Sequence, residues 1–270
     1  MARSGNPRVS VVVPTHNEAR NVELLLPAIA AVRPAVDEII IADGGLGSGT
    51  AEAAQRVLTW AKVVRQTRTG KGNALACGFA AATGDVIVTF DADGSADPRD
   101  IPVFVAALIG GADFVTGSRY VAGAGPTGIS PLRRTRLAVL NHLARLFFGA
   151  GQTDLCFGYH AFWVDLLPAL ELPSIAAPAS PGGPPWGDGM EIETLLSCRA
   201  AAAGGRLAEV PSCERLPLGG RHVGRTVTDD RRVLRVLTTE RRRLRQSRRP
   251  PAPEPAPARG FPGLPPDHPG

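Results

Sequence analysis

Two carboxylates that follow an apolar run are the sharpest chemical feature of this sequence. Asp91 and Asp93 come directly after DVIVTF, a run typical of a strand covered on both faces. Two carboxylates with this spacing at a strand end can both reach one cation, and a hard divalent ion that keeps waters and phosphate oxygens suits such a pair. The alternative is a turn in which the aspartates only cap the next helix. An EF-hand loop is excluded, because Ala96 and Pro102 stand where that loop needs glycine and glutamate.

Polar residues also follow three other predicted strands. PTHNE at 14–18 follows the first strand, Asp43 the second, and GSR at 117–119 the fifth. Ligands of an open α/β sheet bind at the carboxyl ends of its strands, so we expect these groups to line one site. Known phosphate motifs do not explain the pattern. GKG at 70–72 lacks the other residues of a Walker A loop, and GLGSGT at 45–50 lacks the last glycine of a dinucleotide fingerprint.

The elements that must position these residues alternate between strand and helix patterns through the first 120 residues, which predicts a mostly parallel, Rossmann-like α/β sheet with helices on both faces. Asn17 is predicted to cap the first helix. The predicted strands are 9–13, 38–42, 62–66, 85–90, 113–116 and 206–210; the predicted helices are 17–31, 50–61, 73–82, 98–109, 131–148, 188–203 and 227–245.

Length and composition predict a soluble globular protein. The chain has 270 residues, 44% of them hydrophobic and 20% charged. Its net charge of +5 arises within residues 241–270, since residues 1–240 hold 23 basic and 23 acidic residues. A neutral core argues against a nucleic-acid-binding protein. We expect a single domain after an N-terminal arm at 1–7, and a disordered Pro-rich tail at 247–270.

The four cysteines show no zinc-site spacing. They are predicted to be buried free thiols, typical of a reducing compartment. No targeting segment or membrane-spanning run is apparent, which predicts a cytoplasmic protein. The cysteines are Cys77, Cys156, Cys198 and Cys213.

Several segments together resemble the family-2 glycosyltransferases in order and spacing. VSVVVPTHNEA, EIIIADGGLGSGT, KGNALACGFAAATGDVIVTFDADGSADP and DFVTGSRY carry the resemblance across residues 8–120. TDLCFGYHAFW, GDGMEIETLL and AEVPSCER extend it more weakly. The sequence is most similar to the dolichol- and polyprenol-phosphate sugar transferase branch. This resemblance implies a glycosyltransferase-A fold, with a nucleotide-sugar-binding half at 8–120 and an acceptor-binding half at 121–246.

The resemblance also implies a donor site for a GDP- or UDP-hexose. The base would bind Asp43, and Asp91 and Asp93 would hold the nucleotide and a Mg²⁺ or Mn²⁺ ion. Some relatives carry glutamine where this sequence has Ser95, which leaves one metal ligand open. The other residues implied to border the nucleotide are Pro14, Thr15, Asn17, Glu18, Lys71, Gly72, Asn73 and Ala92.

Two acceptors remain open under the resemblance. A lipid phosphate is already anionic and needs cations, for which Arg119 and either Arg133 or Arg134 match. A hydroxyl acceptor, on a glycan or a small metabolite, needs a carboxylate base, for which Asp154 and Asp188 are candidates. Arg119 could instead form a surface ion pair, and Asp188 could instead cap its helix.

The function predicted from the sequence is therefore a metal-dependent, inverting glycosyltransferase, with a polyprenyl or dolichyl phosphate as the leading acceptor. In that version the helix at 131–148 would lie near the inner face of the membrane; a helix packed only on the core is the alternative. A degenerate nucleotide-sugar binder without turnover is a different class of function. The altered loop Leu46–Ser48, where relatives commonly show Ser-Thr-Asp, motivates it.

Overall fold

A computed structural model describes residues 3–34, 36–45, 47–121, 131–179, 183–213, 215, 218 and 227–247, with the backbone alone at 131–134, 227–229 and 247. Apart from Ser247, the predicted tail lies outside these residues. The strands are β1 Val9–Thr15, β2 Glu38–Asp43, β3 Lys62–Arg65, β4 Val86–Thr89, β5 Phe114–Ser118, β6 His160–Trp163 and β7 Leu207–Pro211. The helices are α1 Ala19–Ala30, α2 Thr50–Val57, α3 Lys71–Ala81, α4 Ile101–Ile109, α5 Pro131–Phe148, α6 Leu167–Leu170, α7 Ile192–Ala202 and α8 Val227–Ser247.

The described strands form one sheet in the order β3-β2-β1-β4-β6-β5-β7. Strand β6 pairs antiparallel with β4 and β5, and the other pairings are parallel. The chain builds outwards from β1 on one side through β2 and β3, and on the other side through β4. The strand order therefore reverses beside β1, which is where an α/β sheet opens a ligand crevice.

Apolar side chains cover both faces of the sheet, which explains the continuous apolar runs of the sequence. On one face Val11 and Val13 of β1 pack with α1 and α4; on the other Val12 packs with α3 and α7. Helix α3 approaches β1 closely, because a Cβ at Gly78 would lie 2.3 Å from Val12 Cγ1. The small residues of this helix therefore serve close packing against the strand.

The predicted α/β class and mostly parallel sheet are confirmed, whereas one strand was missed and two local predictions are wrong. Strand β6 was not predicted, because four residues are too few for a clear period. Asn17 does not cap α1: it has a φ of 61°, and the capping position is Glu18. Cys213 is exposed, since it lies in the chain just beyond β7, whereas the other three cysteines are buried.

In the described part of the chain, no helix is both long enough and apolar enough to cross a membrane.

Candidate active site

A cleft of about 440 Å³ opens where the strand order reverses. The end of β1 with the residues after it forms one wall, the residues after β4 form a second, and the start of α3 forms a third. Of the residues predicted to bind nucleotide or metal, seven line it. The lining residues are Pro14, Thr15, His16, Glu18, Gln66, Thr69, Gly70, Lys71, Ala74, Asp91, Ala92, Asp93 and Met190.

Asp91 and Asp93 extend from the end of β4 into this cleft. The Asp93 Oδ1 accepts the Ser95 N–H at 2.9 Å, which fixes the turn after the strand. The Asp91 Oδ1 lies 2.6 Å from the Lys71 Nζ. The chain beyond β7 covers this turn, because the Arg215 N–H donates to the Ser95 carbonyl at 2.7 Å and the Leu218 N–H to the Asp93 carbonyl at 2.9 Å.

Lys71 also contacts a residue that sequence reasoning did not assign. Its Nζ lies 2.6 Å from the Oε1 of Glu193 on α7, so one ammonium bridges two carboxylates. Burial alone would lower the pKa of Lys71, but the charges of Asp91 and Glu193 outweigh it and raise that pKa. Lys71 therefore stays positively charged. Glu193 falls within the quoted segment GDGMEIETLL, but its partner lies 122 residues away.

Glu18 gives the cleft a third carboxylate. Burial raises its pKa, a hydrogen bond from Asn21 opposes that change, and the nearby charge of Asp93 raises it further. The Glu18 Oε2 accepts the Asn21 Nδ2 at 2.6 Å, and its backbone N–H donates to Thr50 at 3.2 Å. The cleft wall at the end of β1 is thereby tied to the start of α2.

Asp43, the predicted base acceptor, is buried at the end of β2 between Thr15 and Gln66. Its Oδ1 accepts the Gly45 N–H at 3.0 Å and the Thr15 Oγ1 at 3.3 Å. The Gln66 amide lies against Gly44, where a Cβ would come within 2.8 Å of its Nε2. Gln66 and Met190 line the cleft but were not predicted, because no motif distinguishes them from ordinary loop residues.

Asn17, Asp43, Gly72 and Asn73 do not line the cleft. Asn17 is exposed, and its Oδ1 lies over Gly45. The N–H groups of Gly72 and Asn73 donate to the carbonyls of Gly189 and Asp188 at 3.2 and 3.1 Å. The buried Asn73 Oδ1 accepts two N–H groups of the loop after β3, so these residues hold the cleft wall in place.

Arg119 and Asp154 form a buried ion pair, so Arg119 is not in a surface pair. The Arg119 Nε lies 2.6 Å from Asp154 Oδ2, and the Nη2 lies 2.9 Å from Oδ1. The two side chains are 2% and 1% exposed, respectively. Both carboxylate oxygens of this candidate base are thus engaged by a cation.

Asp188 is engaged in the same manner. The Arg68 Nε and Nη2 lie 2.6 and 3.1 Å from its two carboxylate oxygens, and its side chain is fully buried. It does not cap α7, which begins at Ile192 after an N-terminal cap at Glu191. The Arg68 Nη1 also donates to the carbonyls of Ser174 and Ala177 at 2.9 and 2.7 Å. This pair therefore clamps the loop before α7 against the loop before α3.

Arg133 and Arg134 lie in the first turns of α5, and their side chains fall outside the described part of the chain.

His160 is buried on β6 and adds no positive charge near neutral pH. Burial lowers its pKa to about 3, and the charge of Lys71 acts in the same direction. Its Nδ1 lies 3.3 Å from the Thr116 Oγ1, and its ring packs on Phe114 at 5.1 Å between centroids. The Nε2 is buried with no hydrogen-bond partner among the described residues.

We expect this histidine to make folding acid-sensitive. The folded protein keeps His160 neutral down to about pH 3, whereas the unfolded chain binds a proton below about pH 6.5, so stability falls as the pH falls between these values. Urea unfolding at pH 7 and pH 5 should show a loss of about 2 kcal/mol that His160→Gln does not share. The control is His142→Gln, at an exposed histidine on α5. Equal losses in wild type and His160→Gln would contradict this assignment.

The cleft fits a hard divalent cation for which the protein supplies only some of the ligands. The donors offered by Asp91 and Asp93 are carboxylate oxygens, which suit Mg²⁺ and Mn²⁺. Among the described residues, no group of three His, Cys, Asp or Glu side chains could hold a metal ion. The remaining ligands would have to be waters and oxygens of a bound phosphate, as is usual for Mg²⁺.

Comparison with known proteins decides the family. The family model described as glycosyl transferase family 2 matches residues 10–170, more than half of the chain. The chain belongs to glycosyltransferase family 2. This glycosyltransferase is 31% identical over 211 residues to an undecaprenyl-phosphate mannosyltransferase of Micrococcus luteus, across 76% of this chain and 82% of that protein. It is 31% identical over 212 residues to a polyprenol monophosphomannose synthase of Mycolicibacterium smegmatis, across 76% of each protein.

A solved structure supports the same assignment. Glucosyl-3-phosphoglycerate synthase from Mycobacterium tuberculosis, in complex with Mn²⁺, UDP and phosphoglyceric acid, superposes on this glycosyltransferase with a TM-score of 0.61. The two chains are 25% identical, and the match covers 87% of this chain and 79% of that one. The predicted glycosyltransferase-A fold and enzyme class are thereby confirmed: this is a transferase that uses a nucleotide-sugar donor.

Proposed function

We propose that this glycosyltransferase moves a hexose from a GDP- or UDP-hexose to a polyprenyl phosphate, with inversion at the anomeric carbon and with Mg²⁺ or Mn²⁺ at the donor. The negative charge of the cleft supports the proposed metal dependence. Three carboxylates line it, from Glu18, Asp91 and Asp93, together with the one ammonium of Lys71. A diphosphate would be repelled by such a wall unless a divalent cation accompanied it.

Asp91 and Asp93 would hold that ion, and when bound it would neutralise the charge that develops on the leaving diphosphate. The other residues at the cleft would bind and orient the donor. Thr15 and Asp43 would face the nucleoside at the ends of β1 and β2. Lys71 would face the diphosphate at the start of α3, where its positive charge would stabilise the negative charge of the leaving group. Thr15 and Lys71 line the cleft, and Asp43 is paired with Thr15 on the neighbouring strand.

The state of the two candidate bases favours a phosphate acceptor. A hydroxyl acceptor needs a base to take its proton, whereas a lipid phosphate is already anionic. Asp154 and Asp188 are both held in buried bidentate pairs with arginines. The names of two relatives, an undecaprenyl-phosphate mannosyltransferase and a polyprenol monophosphomannose synthase, support the same choice. Arg133 or Arg134 would hold the phosphate, whereas Arg119 would act indirectly, because its guanidinium is paired with Asp154.

The donor is tested by calorimetric titration with UDP, GDP and their hexose conjugates, with Mn²⁺ and then with EDTA. We expect one nucleotide to bind in the presence of the metal and to bind far more weakly in EDTA. Equal affinity in both conditions would contradict the metal's role. Failure of every nucleotide to bind would contradict the donor assignment.

The acceptor is tested by incubating the protein with the donor identified above and a polyprenyl phosphate in detergent. We expect a glycolipid that mild acid cleaves, as a glycosyl phosphate should. The matched control is the polyprenol of the same length, which lacks the phosphate and should accept no sugar. Equal transfer to the polyprenol, or transfer to a glycan or small metabolite without lipid, would favour the hydroxyl acceptor instead.

A further inference from the structure

The bridge formed by Lys71 occupies one of the carboxylates that the proposed metal needs. The Lys71 Nζ lies 2.6 Å from both Asp91 Oδ1 and Glu193 Oε1. These three residues come from the start of α3, the chain just after β4 and the first turn of α7. Asp91 and Lys71 line the cleft, so the ammonium lies at its floor and not in a separate part of the core.

The backbone at Gly158 packs directly beneath this bridge. A Cβ on Gly158 would lie 2.8 Å from Asp91 Oδ2, 2.9 Å from Lys71 Nζ and 3.0 Å from Glu193 Oε1. The three charged groups therefore pack against Gly158 on one side. The side chains of Asp91, Lys71 and Glu193 are only 29%, 12% and 15% exposed, respectively. The side on which the Lys71 ammonium has room to move is therefore the side that faces the cleft.

A metal ion on Asp91 would compete with this ammonium. Two cations a few ångströms apart on one carboxylate repel each other, the more so where water is scarce. The lysine ammonium is a compact charge on a flexible stem, so it can turn away from one carboxylate while it stays on the other. Glu193 provides the contact that remains.

We propose that Lys71 is an exchangeable occupant of the metal position: it neutralises Asp91 when the donor is absent, and it moves from Asp91 to the diphosphate when metal and nucleotide enter, while Glu193 retains it. The inference rests on the proposed metal-bound donor. Its consequence is that the metal alone binds weakly, because it must displace Lys71 with no diphosphate to receive the ammonium. Metal and nucleotide then strengthen each other's binding.

This mechanism predicts two effects of opposite sign for Lys71→Met. Without nucleotide, Mn²⁺ should bind about tenfold more tightly than to wild type, since the competing cation is gone. With Mn²⁺ present, UDP or GDP should bind about tenfold more weakly, since the diphosphate loses its ammonium. Mn²⁺ alone is titrated by electron paramagnetic resonance of the free ion, and the nucleotides by calorimetry. Neither readout needs catalysis.

Two further variants sharpen the test. Glu193→Gln should weaken binding of Mn²⁺ alone, because Lys71 then pairs with Asp91 only and the site loses a negative charge. Lys62→Met is the matched control, because Lys62 is exposed and its Nζ donates to the Ala81 carbonyl away from the cleft. It should change neither affinity. If Lys71→Met does not fold, as judged by circular dichroism, Lys71→Gln replaces it and should give the same two signs.

Unchanged or weaker binding of Mn²⁺ alone by the folded Lys71 variants would overturn the exchange. That result is distinguishable from failure of the proposed function, in which no nucleotide binds to wild type under any metal condition. The comparison of Mn²⁺ binding by wild type and the Lys71 variants needs no nucleotide, so its result is valid in either case.

Discussion

Replacing Asp93 with alanine is expected to lower sugar transfer by at least about 10²-fold, the usual effect of removing one preorganised charged group from such a site. Asp93 lines the cleft after β4, and it is one of the two carboxylates to which the proposed metal is assigned. Its other visible contact, from the Ser95 N–H to Oδ1, contributes only about 1 kcal/mol to folding. The variant should therefore fold normally and lose metal-dependent nucleotide binding in calorimetry.

The matched variant for this prediction is Asp93→Asn. An amide oxygen can still accept the Ser95 N–H, so the turn after β4 is kept while the charge is lost. If Asp93 serves the metal, Asp93→Asn should be nearly as inactive as Asp93→Ala. Wild-type activity in Asp93→Asn would mean that Asp93 only shapes the turn.

Replacing Asp188 with alanine is expected to lower the free energy of unfolding by about 3–5 kcal/mol, since it leaves the buried Arg68 without its carboxylate. The side chains of Arg68 and Asp188 are 2% and 0% exposed, so water cannot replace the lost partner. Urea unfolding measures the loss. The control is Asp165→Ala, because Asp165 pairs with Arg3 at the surface with 58% of its side chain exposed, and it should cost less than about 1 kcal/mol.

Two further variants separate a clamp from a catalytic base at position 188. The double variant Arg68→Met with Asp188→Leu should recover much of the lost stability, because an apolar pair can replace a buried ion pair. Asp188→Asn should reduce stability and activity together if Asp188 only positions the loops. Full stability with abolished transfer in Asp188→Asn would instead identify the base for a hydroxyl acceptor.

The sequence was most informative where one strand end decides the position of a residue. Thr15 ends β1, Glu18 comes shortly after it, and Asp91 and Asp93 come shortly after β4. The rule that ligands bind at carboxyl strand ends was enough to place them together. Lys71 was placed by its resemblance to a family motif. None of these needed knowledge of a distant contact.

The sequence was least informative where a role depends on a partner far along the chain. Asp188 finds Arg68 at a separation of 120 residues, and Asp154 finds Arg119 at a separation of 35. A carboxylate in a buried pair and a carboxylate free to act as a base look alike in a sequence. The same reason hid Glu193, because only the folded sheet brings α7 beside α3.

The antiparallel β6 has a consequence for how the chain reaches its fold. Both strands that flank β5, namely β6 and β7, come later in the chain. During synthesis a nascent chain that ends near residue 120 therefore carries β5 with neither neighbour in place, and β4 has an open edge where β6 will insert. Unpaired strand edges are templates for aggregation, and pairing across such distances slows folding. The first 120 residues of this enzyme therefore cannot complete their sheet on the ribosome until the later strands have emerged.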